Sequence, residues 1–199
     1  MKIMSEYFAK VADNLDVKPL QTAILRQPKL FGKYTQRGDF KGSPHSEMKD
    51  IWVRYNDVAP FLEKNDFSGF DREHDSIWYP SAYAIPQVRK VVFDLMRIVE
   101  GERLGGILIT KLPPGGKIQK HSDGGWHAEY YDKYFVPILN EEGAIFGFED
   151  GVIAPKIGEA YWFDNSVPHW VENNTDSDRI AMIVCIRHSK VEGAYREDN

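Results

Sequence analysis

Hydrophobic positions follow two different patterns along the chain, and the pattern changes at about residue 104. From Pro86 to Glu100 apolar residues recur every three or four positions, which predicts a helix with one buried face. Pro86 suits the first turn of this helix, and Gly101 suits its end. A second helix is predicted near Ser5–Leu15. The other segments before position 104 are irregular and aromatic-rich, so we expect the N-terminal part (1–103) to be a helical and irregular layer.

After Gly105 the pattern changes to short apolar runs separated by turn residues. The runs are GGILITKL, KIQKH, DKYFVPILN, AIFGFED, AYWF, HWVEN and IAMIVCIR. Short strands at a spacing of about 8–12 residues are typical of β-sandwiches and barrels. The sequence therefore predicts a single α+β but mainly β domain (1–199), in which the N-terminal layer packs on a jelly-roll core (104–190) that is followed by a tail (191–199).

Composition is that of a soluble globular domain, and the 199 residues provide enough volume for a core. The formal net charge of −5 argues against a nucleic-acid partner, because phosphate binding depends on positive charge. No apolar stretch reaches the length of a membrane span, and the first residues lack the apolar core of a signal peptide. The single cysteine, Cys185, cannot form an intrachain disulfide. We therefore expect a cytoplasmic protein without a membrane partner.

The segment His121-Ser122-Asp123 carries two metal-ligating side chains two positions apart. In a strand such residues point to the same face and can reach one ion. His169 follows a turn (164–168) and begins another predicted strand. Two imidazoles and one carboxylate form the facial triad of non-haem iron(II) oxygenases, which leaves the opposite face of the ion open. In a chain with six histidines, however, His-x-Asp arises easily by chance, and His169 could equally be a strand-end histidine bonded to a carbonyl.

Arg179 lies ten positions beyond His169, after the polar turn NNTDSD. If HWVEN and RIAMIV are adjacent antiparallel strands, His169 and Arg179 face the same interior. The arginine can then bind a distal carboxylate bidentately while the metal holds the other end of the ligand. The alternative is an arginine exposed at a strand edge next to Asp176 and Asp178.

These residues together resemble a known family. HSD followed by GEAYWFDNSVPHWVENNTDSDRIAMIV resembles the aspartyl/asparaginyl β-hydroxylase branch of the 2-oxoglutarate/iron(II) dioxygenases. The similarity covers about Gly105–Arg187 and is most specific over Gly158–Val184. In that branch a Gly-acidic pair, here Gly158-Glu159, precedes F-D-x-S-x-x-H, which ends at His169. An N-x-[ST]-x-x-x-R pattern follows and ends at Arg179.

The resemblance implies a cupin-like double-stranded β-helix with a catalytic Fe(II) held by His121, Asp123 and His169. It implies 2-oxoglutarate as co-substrate, with Arg179 on its C5 carboxylate and a hydroxyl contact from Thr110 on an earlier strand.

The chain departs from the branch at two points. Some animal members lack the acidic ligand, whereas Asp123 is present here. Where relatives often have Arg-x-His, this sequence has Lys133 and Phe135. Lys133 can supply positive charge to the co-substrate, whereas Phe135 cannot form a hydrogen bond. Bacterial amino-acid hydroxylases, which the chain also resembles, share the acidic ligand at Asp123.

The implied reaction is hydroxylation of an unactivated C–H bond, which consumes dioxygen and yields succinate and CO₂. An amino acid and a peptide or protein side chain both remain open as substrates. Candidate substrate contacts are Arg37, His45 and Arg54, which could hold an anionic group, and Trp126 and His127, which follow the HSD segment. For the N-terminal set, the alternative is a solvated loop followed by a strand with ordinary surface charges.

Other classes of protein fit parts of the pattern. A non-catalytic cupin-like module that binds a metal or a small molecule would keep the barrel, but it has no reason to keep both Asp123 and Arg179. A zinc hydrolase would need a general base at zincin-like spacing, which neither histidine has. Oxidation of nucleic acid is disfavoured by the acidic balance of the chain.

Overall fold

Two antiparallel sheets form the centre of the protein, which the computed structural model describes over residues 5–39 and 41–188. Within these ranges the strands are β1 (Phe8–Ala12), β2 (Lys49–Tyr55), β3 (Ile77–Trp78), β4 (Arg103–Leu112), β5 (Lys117–His121), β6 (Asp132–Leu139), β7 (Ala144–Phe148), β8 (Gly151–Ile153), β9 (Ala160–Phe163), β10 (His169–Asn173) and β11 (Arg179–Arg187). The larger sheet has the order β1-β9-β6-β11-β4-β2-β3, and the smaller sheet has the order β5-β10-β7-β8. From β4 onward the chain passes repeatedly between the two sheets, as in a jelly roll. The predicted double-stranded β-helix is confirmed.

The helices are α1 (Lys18–Leu25), α2 (Ala59–Lys64), α3 (Ser81–Ala84), α4 (Gln87–Ile98) and α5 (Trp126–Tyr130), with a 3₁₀ turn at Pro28–Leu30. α4 is the helix predicted from residues 86 to 100. Its apolar face is buried in one cluster with Ile107 and Ile109 of β4. Because side chains alternate along a strand, Leu108 and Thr110 point to the opposite face of the larger sheet. That opposite face lines the cavities described below.

The predicted helix near Ser5–Leu15 is wrong, because this segment contains β1. β1 pairs with β9, from Phe8 opposite Phe163 to Ala12 opposite Ala160. Its few apolar residues fit a helical or a strand period equally well, and pairing at the edge of the sheet determines the outcome. β2 and β3 also extend the larger sheet. The N-terminal part therefore supplies strands to the sheet as well as the expected helices.

The Gly-acidic pair of the sequence pattern joins the N-terminal part to the barrel. Leu15 N–H donates to Gly158 O at 2.8 Å. Gly158 has a positive φ of 83°, and a Cβ at this position would lie 2.9 Å from Leu15 O. Glu159 accepts hydrogen bonds from Lys10 Nζ and from the Tyr161 hydroxyl. The pair therefore has a structural role at this junction.

None of the described helices is long and apolar enough to cross a membrane. The predicted tail (191–199) and the last two residues of the predicted core (189–190) lie outside the described residues.

Candidate metal and co-substrate site

Three side chains that the sequence predicts as metal ligands lie together between the two sheets. His121 ends β5, His169 begins β10, and the two residues are paired across these strands with ring centroids 4.5 Å apart. Asp123 lies beyond β5, with Oδ1 3.7 Å from His121 Nε2 and Oδ2 3.8 Å from His169 Nε2. The strand predicted to carry both His121 and Asp123 ends at His121. Asp123 is held instead by a 2.8 Å hydrogen bond from its N–H to Asn165 O.

Hydrogen bonds to carbonyl groups set the tautomer and the orientation of both imidazoles. Nδ1 of His121 lies 2.7 Å from Gln119 O, and Nδ1 of His169 lies 2.8 Å from Val167 O. A carbonyl oxygen only accepts, so each Nδ1 carries the proton and each Nε2 presents a lone pair towards Asp123. Burial also lowers the pKa of His169, which keeps that ring neutral. Two imidazoles with oriented Nε2 atoms and one carboxylate are a donor set that suits ferrous iron.

Lys133 on β6 is the charge partner of Asp123. Its Nζ donates to Asp123 Oδ2 at 2.6 Å. Burial would raise the pKa of Asp123, but the charge and hydrogen bond of Lys133 outweigh that effect and lower the pKa to about 2. The carboxylate is therefore ionised near neutral pH.

An inner cavity extends from these residues between the two sheets. Besides the three predicted ligands, its polar lining consists of Arg37, His45, Thr110, Lys133 and Arg179. Thr110 is opposite Ala181 in the pairing of β4 with β11, and Arg179 lies two residues before Ala181. Thr110 and Arg179 therefore share one face of the larger sheet.

Arg179 is buried without a counter-ion. It is only 4% exposed, its Nε has no hydrogen-bond partner, and it forms no ion pair with any residue in the described ranges. Burial alone lowers its pKa to about 10, so the guanidinium is still charged at neutral pH. An uncompensated buried cation is costly. A carboxylate ligand in the inner cavity would compensate it.

The predicted adjacency of the strands that carry His169 and Arg179 is wrong. β10 belongs to the smaller sheet and β11 to the larger sheet, so the NNTDSD turn crosses from one sheet to the other. Asn173 holds this crossing through hydrogen bonds from its Nδ2 to Leu112 O and Ser177 O. His169 and Arg179 line the same cavity because the two sheets face each other. The alternative of an arginine exposed at a strand edge is excluded by the burial of Arg179.

Asp50 on β2 links two of the predicted residues, and sequence reasoning missed it. Its Oδ1 accepts from the Thr110 hydroxyl at 2.9 Å, and its Oδ2 accepts from Arg37 Nη1 at 2.8 Å. Asp50 is 4% exposed and opposite Thr110 in the pairing of β2 with β4. A lone aspartate in a predicted strand carries no local motif that would have identified it.

A larger outer cavity of about 550 Å³ adjoins the inner cavity. Five residues line both cavities: Arg37, His45, Asp123, Lys133 and Ile183. Much of the remaining wall is aromatic and consists of Trp52, Tyr55, Phe67, Phe70 and His127. The His45 ring packs edge-on against His121 with centroids 4.6 Å apart. Potential ligand atoms of His45, His121 and Asp123 all lie within 4.8 Å of one another.

Not all predicted substrate contacts reach the cavities. Arg54 and Trp126 line neither of them: Arg54 donates to Gly105 O and packs on Trp78, while Trp126 stacks on Tyr130. These contacts remove Arg54 and Trp126 from the candidates.

His127 does line the outer cavity, but its Nε2 accepts a 3.2 Å hydrogen bond from Gly106 N–H. Burial lowers the pKa of His127 to about 3, so the ring is neutral. Its Nε2 is therefore occupied and is not free to bind a metal.

The fold and the family of this chain match known proteins. Residues 72–189 match the family described as Aspartyl/Asparaginyl beta-hydroxylase. Three similar solved structures illustrate the fold. The viral collagen prolyl hydroxylase vCPH from Paramecium Bursaria Chlorella virus-1, in its 2OG complex, is 13% identical (94% of this chain, 98% of that chain, TM-score 0.55). A prolyl hydroxylase from Trichoplax adhaerens, in complex with a hypoxia inducible factor peptide fragment, is 10% identical (92% and 84%, TM-score 0.56). A 2OG-Fe(II) oxygenase family oxidoreductase from Burkholderia pseudomallei is 9% identical (70% and 66%, TM-score 0.50).

No curated protein sequence matches the chain. At such low identities the solved structures show the fold alone, whereas the family match covers more than half of the chain. The chain belongs to the aspartyl/asparaginyl β-hydroxylase family and is a hydroxylase of the 2-oxoglutarate/iron(II) oxygenase type.

Proposed function

We propose that this protein uses Fe(II), 2-oxoglutarate and dioxygen to hydroxylate an unactivated C–H bond of an amino acid or of a peptide or protein side chain. Succinate and CO₂ are the co-products in this proposal. His121, Asp123 and His169 hold the iron, and Arg179 binds the C5 carboxylate of 2-oxoglutarate. Thr110 and Lys133 are further co-substrate contacts.

The observation that carries the proposal is the unpaired Arg179 at the inner cavity that also contains the triad. A non-catalytic metal-binding barrel would gain nothing from a buried guanidinium without an anion. A dicarboxylate that reaches from the triad to Arg179 supplies that anion and explains why one cavity contains both features.

The residues of the chain prepare the site before any ligand binds. Hydrogen bonds from Nδ1 orient both imidazoles and leave Nε2 free, and Lys133 keeps the Asp123 carboxylate ionised and directed into the cavity. Iron bound there supplies the dioxygen activation that accompanies decarboxylation of 2-oxoglutarate. Thr110 has one hydroxyl proton and donates it to Asp50, so this proton must change partner if Thr110 is to donate to a carboxylate.

Two observations support an amino acid, a peptide or a protein side chain as the substrate. The outer cavity, at about 550 Å³, has room for more than a single small side chain. One solved neighbour of the same fold is in complex with a peptide fragment. Both a peptide and a small molecule are compatible with these observations.

Anaerobic addition of Fe(II) and 2-oxoglutarate tests the proposal. We expect the visible charge-transfer band of the chelate in the wild type, and substrate-dependent succinate release in air. In His169→Ala we expect metal affinity to fall by about 100-fold or more. Even the loss of a residue that only hydrogen-bonds a metal ligand lowers metal affinity by about 10–100-fold. His74→Ala is the matched control, because His74 lines neither cavity. A wild type with neither band nor succinate would contradict the proposal and favour a non-catalytic binding module.

A further inference from the structure

Half of the residues that line the outer cavity belong to the part of the chain that precedes the family match. Arg37, His45, Tyr55 and Phe70 all line this cavity and lie before residue 72, where the match begins. Family membership therefore does not assign a ligand to this wall. The chemistry of its residues does indicate one.

Arg37 has donors to spare for a ligand. Its Nη1 donates to Asp50 Oδ2, but the other oxygen of Asp50 accepts from Thr110, so the guanidinium forms a single hydrogen bond with this carboxylate. Its Nη2 lies 3.5 Å from His45 Nε2, which is too long for a strong hydrogen bond. An arginine has five N–H donors, and their planar arrangement suits a carboxylate. Asp50 thus fixes Arg37 at the junction of the two cavities while most of its donors remain available.

The aromatic and aliphatic residues of the wall suit an apolar ligand body. Trp52 stacks on Phe70 with ring centroids 6.0 Å apart, and Tyr55 packs against both rings. Leu108 and Ile183 add aliphatic surface. A small polar group bound at Arg37 would leave this apolar surface uncovered, whereas a larger apolar body would bury it.

The two acidic residues that line only the outer cavity are solvent-exposed. Asp39 and Asp71 line the outer cavity, and both are exposed. Arg37 is half-buried and also lines the inner cavity. A bound molecule is therefore expected to place its negative charge at Arg37 and a neutral or cationic end towards the aspartates.

We propose that the outer cavity binds the primary substrate as a carboxylate with a bulky apolar body, and that Arg37 binds its carboxylate group. This inference rests on the proposed function and defines the class of its substrate. The apolar body sets this class apart from the small polar side chains after which the family is named.

Matched acid and amide probes test the inference. Binding of 3-phenylpropionate and of 3-phenylpropionamide is measured by calorimetry on the full chain, loaded anaerobically with Fe(II) and 2-oxoglutarate. The two probes differ only in the group that faces Arg37. In the wild type we expect the acid to bind about tenfold or more tightly than the amide, as for a charge-assisted hydrogen bond. In Arg37→Gln we expect this ratio to fall to about one.

Two further variants make the result interpretable. Arg54→Gln removes an arginine from the adjoining strand that lines neither cavity, and it should keep the wild-type ratio. Arg37→Gln leaves Asp50 buried without a cation, so Arg37→Gln/Asp50→Asn serves as a second form in which no buried charge is left alone. We expect the double variant to lose the acid preference as well.

The outcomes separate this inference from others. The inference is overturned if the wild type shows no preference for the acid, if the preference survives in both Arg37 variants, or if 2-oxoglutarate affinity alone falls tenfold in them. The last result would assign Arg37 to the co-substrate. The same titrations are repeated on metal-free protein, so that acid preference is measured independently of the charge-transfer band. If metal-free protein prefers the acid but Fe(II) and 2-oxoglutarate give no band, only the proposed function is contradicted. If the band forms but neither protein prefers the acid, only this inference is contradicted.

Discussion

The inner and outer cavities lie side by side but differ in origin and in chemistry. The triad and Arg179 of the inner cavity come from strands and turns within the family match, and their side chains are polar. Half of the residues that line the outer cavity lie before the match, and its wall includes a cluster of aromatic rings. In the two proposals above, the family-matched strands supply the reaction centre and the N-terminal part supplies most of the contacts that select the substrate.

The cations that line the inner cavity differ in whether they have a carboxylate partner. Three cationic side chains line the inner cavity: Lys133 pairs with Asp123, Arg37 pairs with Asp50, and Arg179 pairs with no carboxylate of the described residues. A cation that already has a partner can hold a ligand only by sharing its donors. The unpaired Arg179 therefore marks the position at which an anionic ligand contributes most.

The largest expected effect is that of Arg179→Met, which removes the unpaired charge from the inner cavity. We expect 2-oxoglutarate affinity to fall by about 100-fold or more, because a buried charged contact contributes about 2–5 kcal/mol. We also expect the free energy of unfolding without ligands to rise by about 1 kcal/mol or more, since an uncompensated buried cation is replaced by an apolar side chain. Calorimetry and urea unfolding measure the two quantities, and Arg54→Met is the control. A variant that binds 2-oxoglutarate normally would remove Arg179 from the site.

His127, which lines the outer cavity, should make the stability of the whole protein depend on pH. Burial lowers its pKa to about 3 from 6.5, so the unfolded chain binds a proton at this residue between these pH values and the folded chain does not. Stability therefore falls as the pH falls below about 6.5. Between pH 7 and pH 5 this residue should account for a loss of about 2 kcal/mol in the free energy of unfolding.

In His127→Gln we expect that part of the loss to be absent, while the glutamine oxygen can still accept from Gly106 N–H. Urea unfolding of metal-free protein at both pH values measures this loss. His188→Gln is the control variant, because His188 lies against the Tyr134 hydroxyl and lines neither cavity. An unchanged difference between pH 7 and pH 5 would show that His127 titrates normally in the folded protein.

The smallest expected effect is that of Phe67→Ala, which removes one ring from the wall of the outer cavity. We expect 3-phenylpropionate to bind about fivefold more weakly, as for the loss of roughly 1 kcal/mol of apolar contact. The affinity for 2-oxoglutarate should stay within about twofold of the wild type. Phe61 packs against Phe67 but does not line the cavity, so Phe61→Ala is the matched control. Equal losses for both ligands would contradict the separation of the two cavities.

The inner cavity was largely predictable because its residues carry local signals. His121 and Asp123 are close in sequence, and His169 and Arg179 flank one turn, so short spacings bring them near one another. The predicted geometry was nevertheless incomplete. Asp123 lies beyond the strand, and His169 and Arg179 lie on facing sheets and not on neighbouring strands.

The outer cavity and the N-terminal strands were less predictable, because they depend on pairing between distant segments. β1 pairs with β9 about 150 residues later, and Asp50 bonds Thr110 across two strands that are far apart in sequence. No periodicity within residues 5–15 could decide between a helix and a strand before that partner was known. Likewise, Arg37 and Arg54 look alike in sequence, and only the fold shows that Arg37 reaches the cavities.

Gly158 has a consequence for how such proteins diversify. Any residue other than glycine is disfavoured there twice, by the positive φ and by the carbonyl oxygen of Leu15, which would lie only 2.9 Å from an added Cβ. The main-chain contact between Leu15 and Gly158 therefore fixes where residues 5–15 join the barrel. Residues 33–39 and 41–47, which follow the packed helix α1 and contribute Arg37 and His45 to the cavities, are mostly exposed or half-buried. They can therefore change without moving this point of attachment, so a new binding surface can evolve over the same barrel.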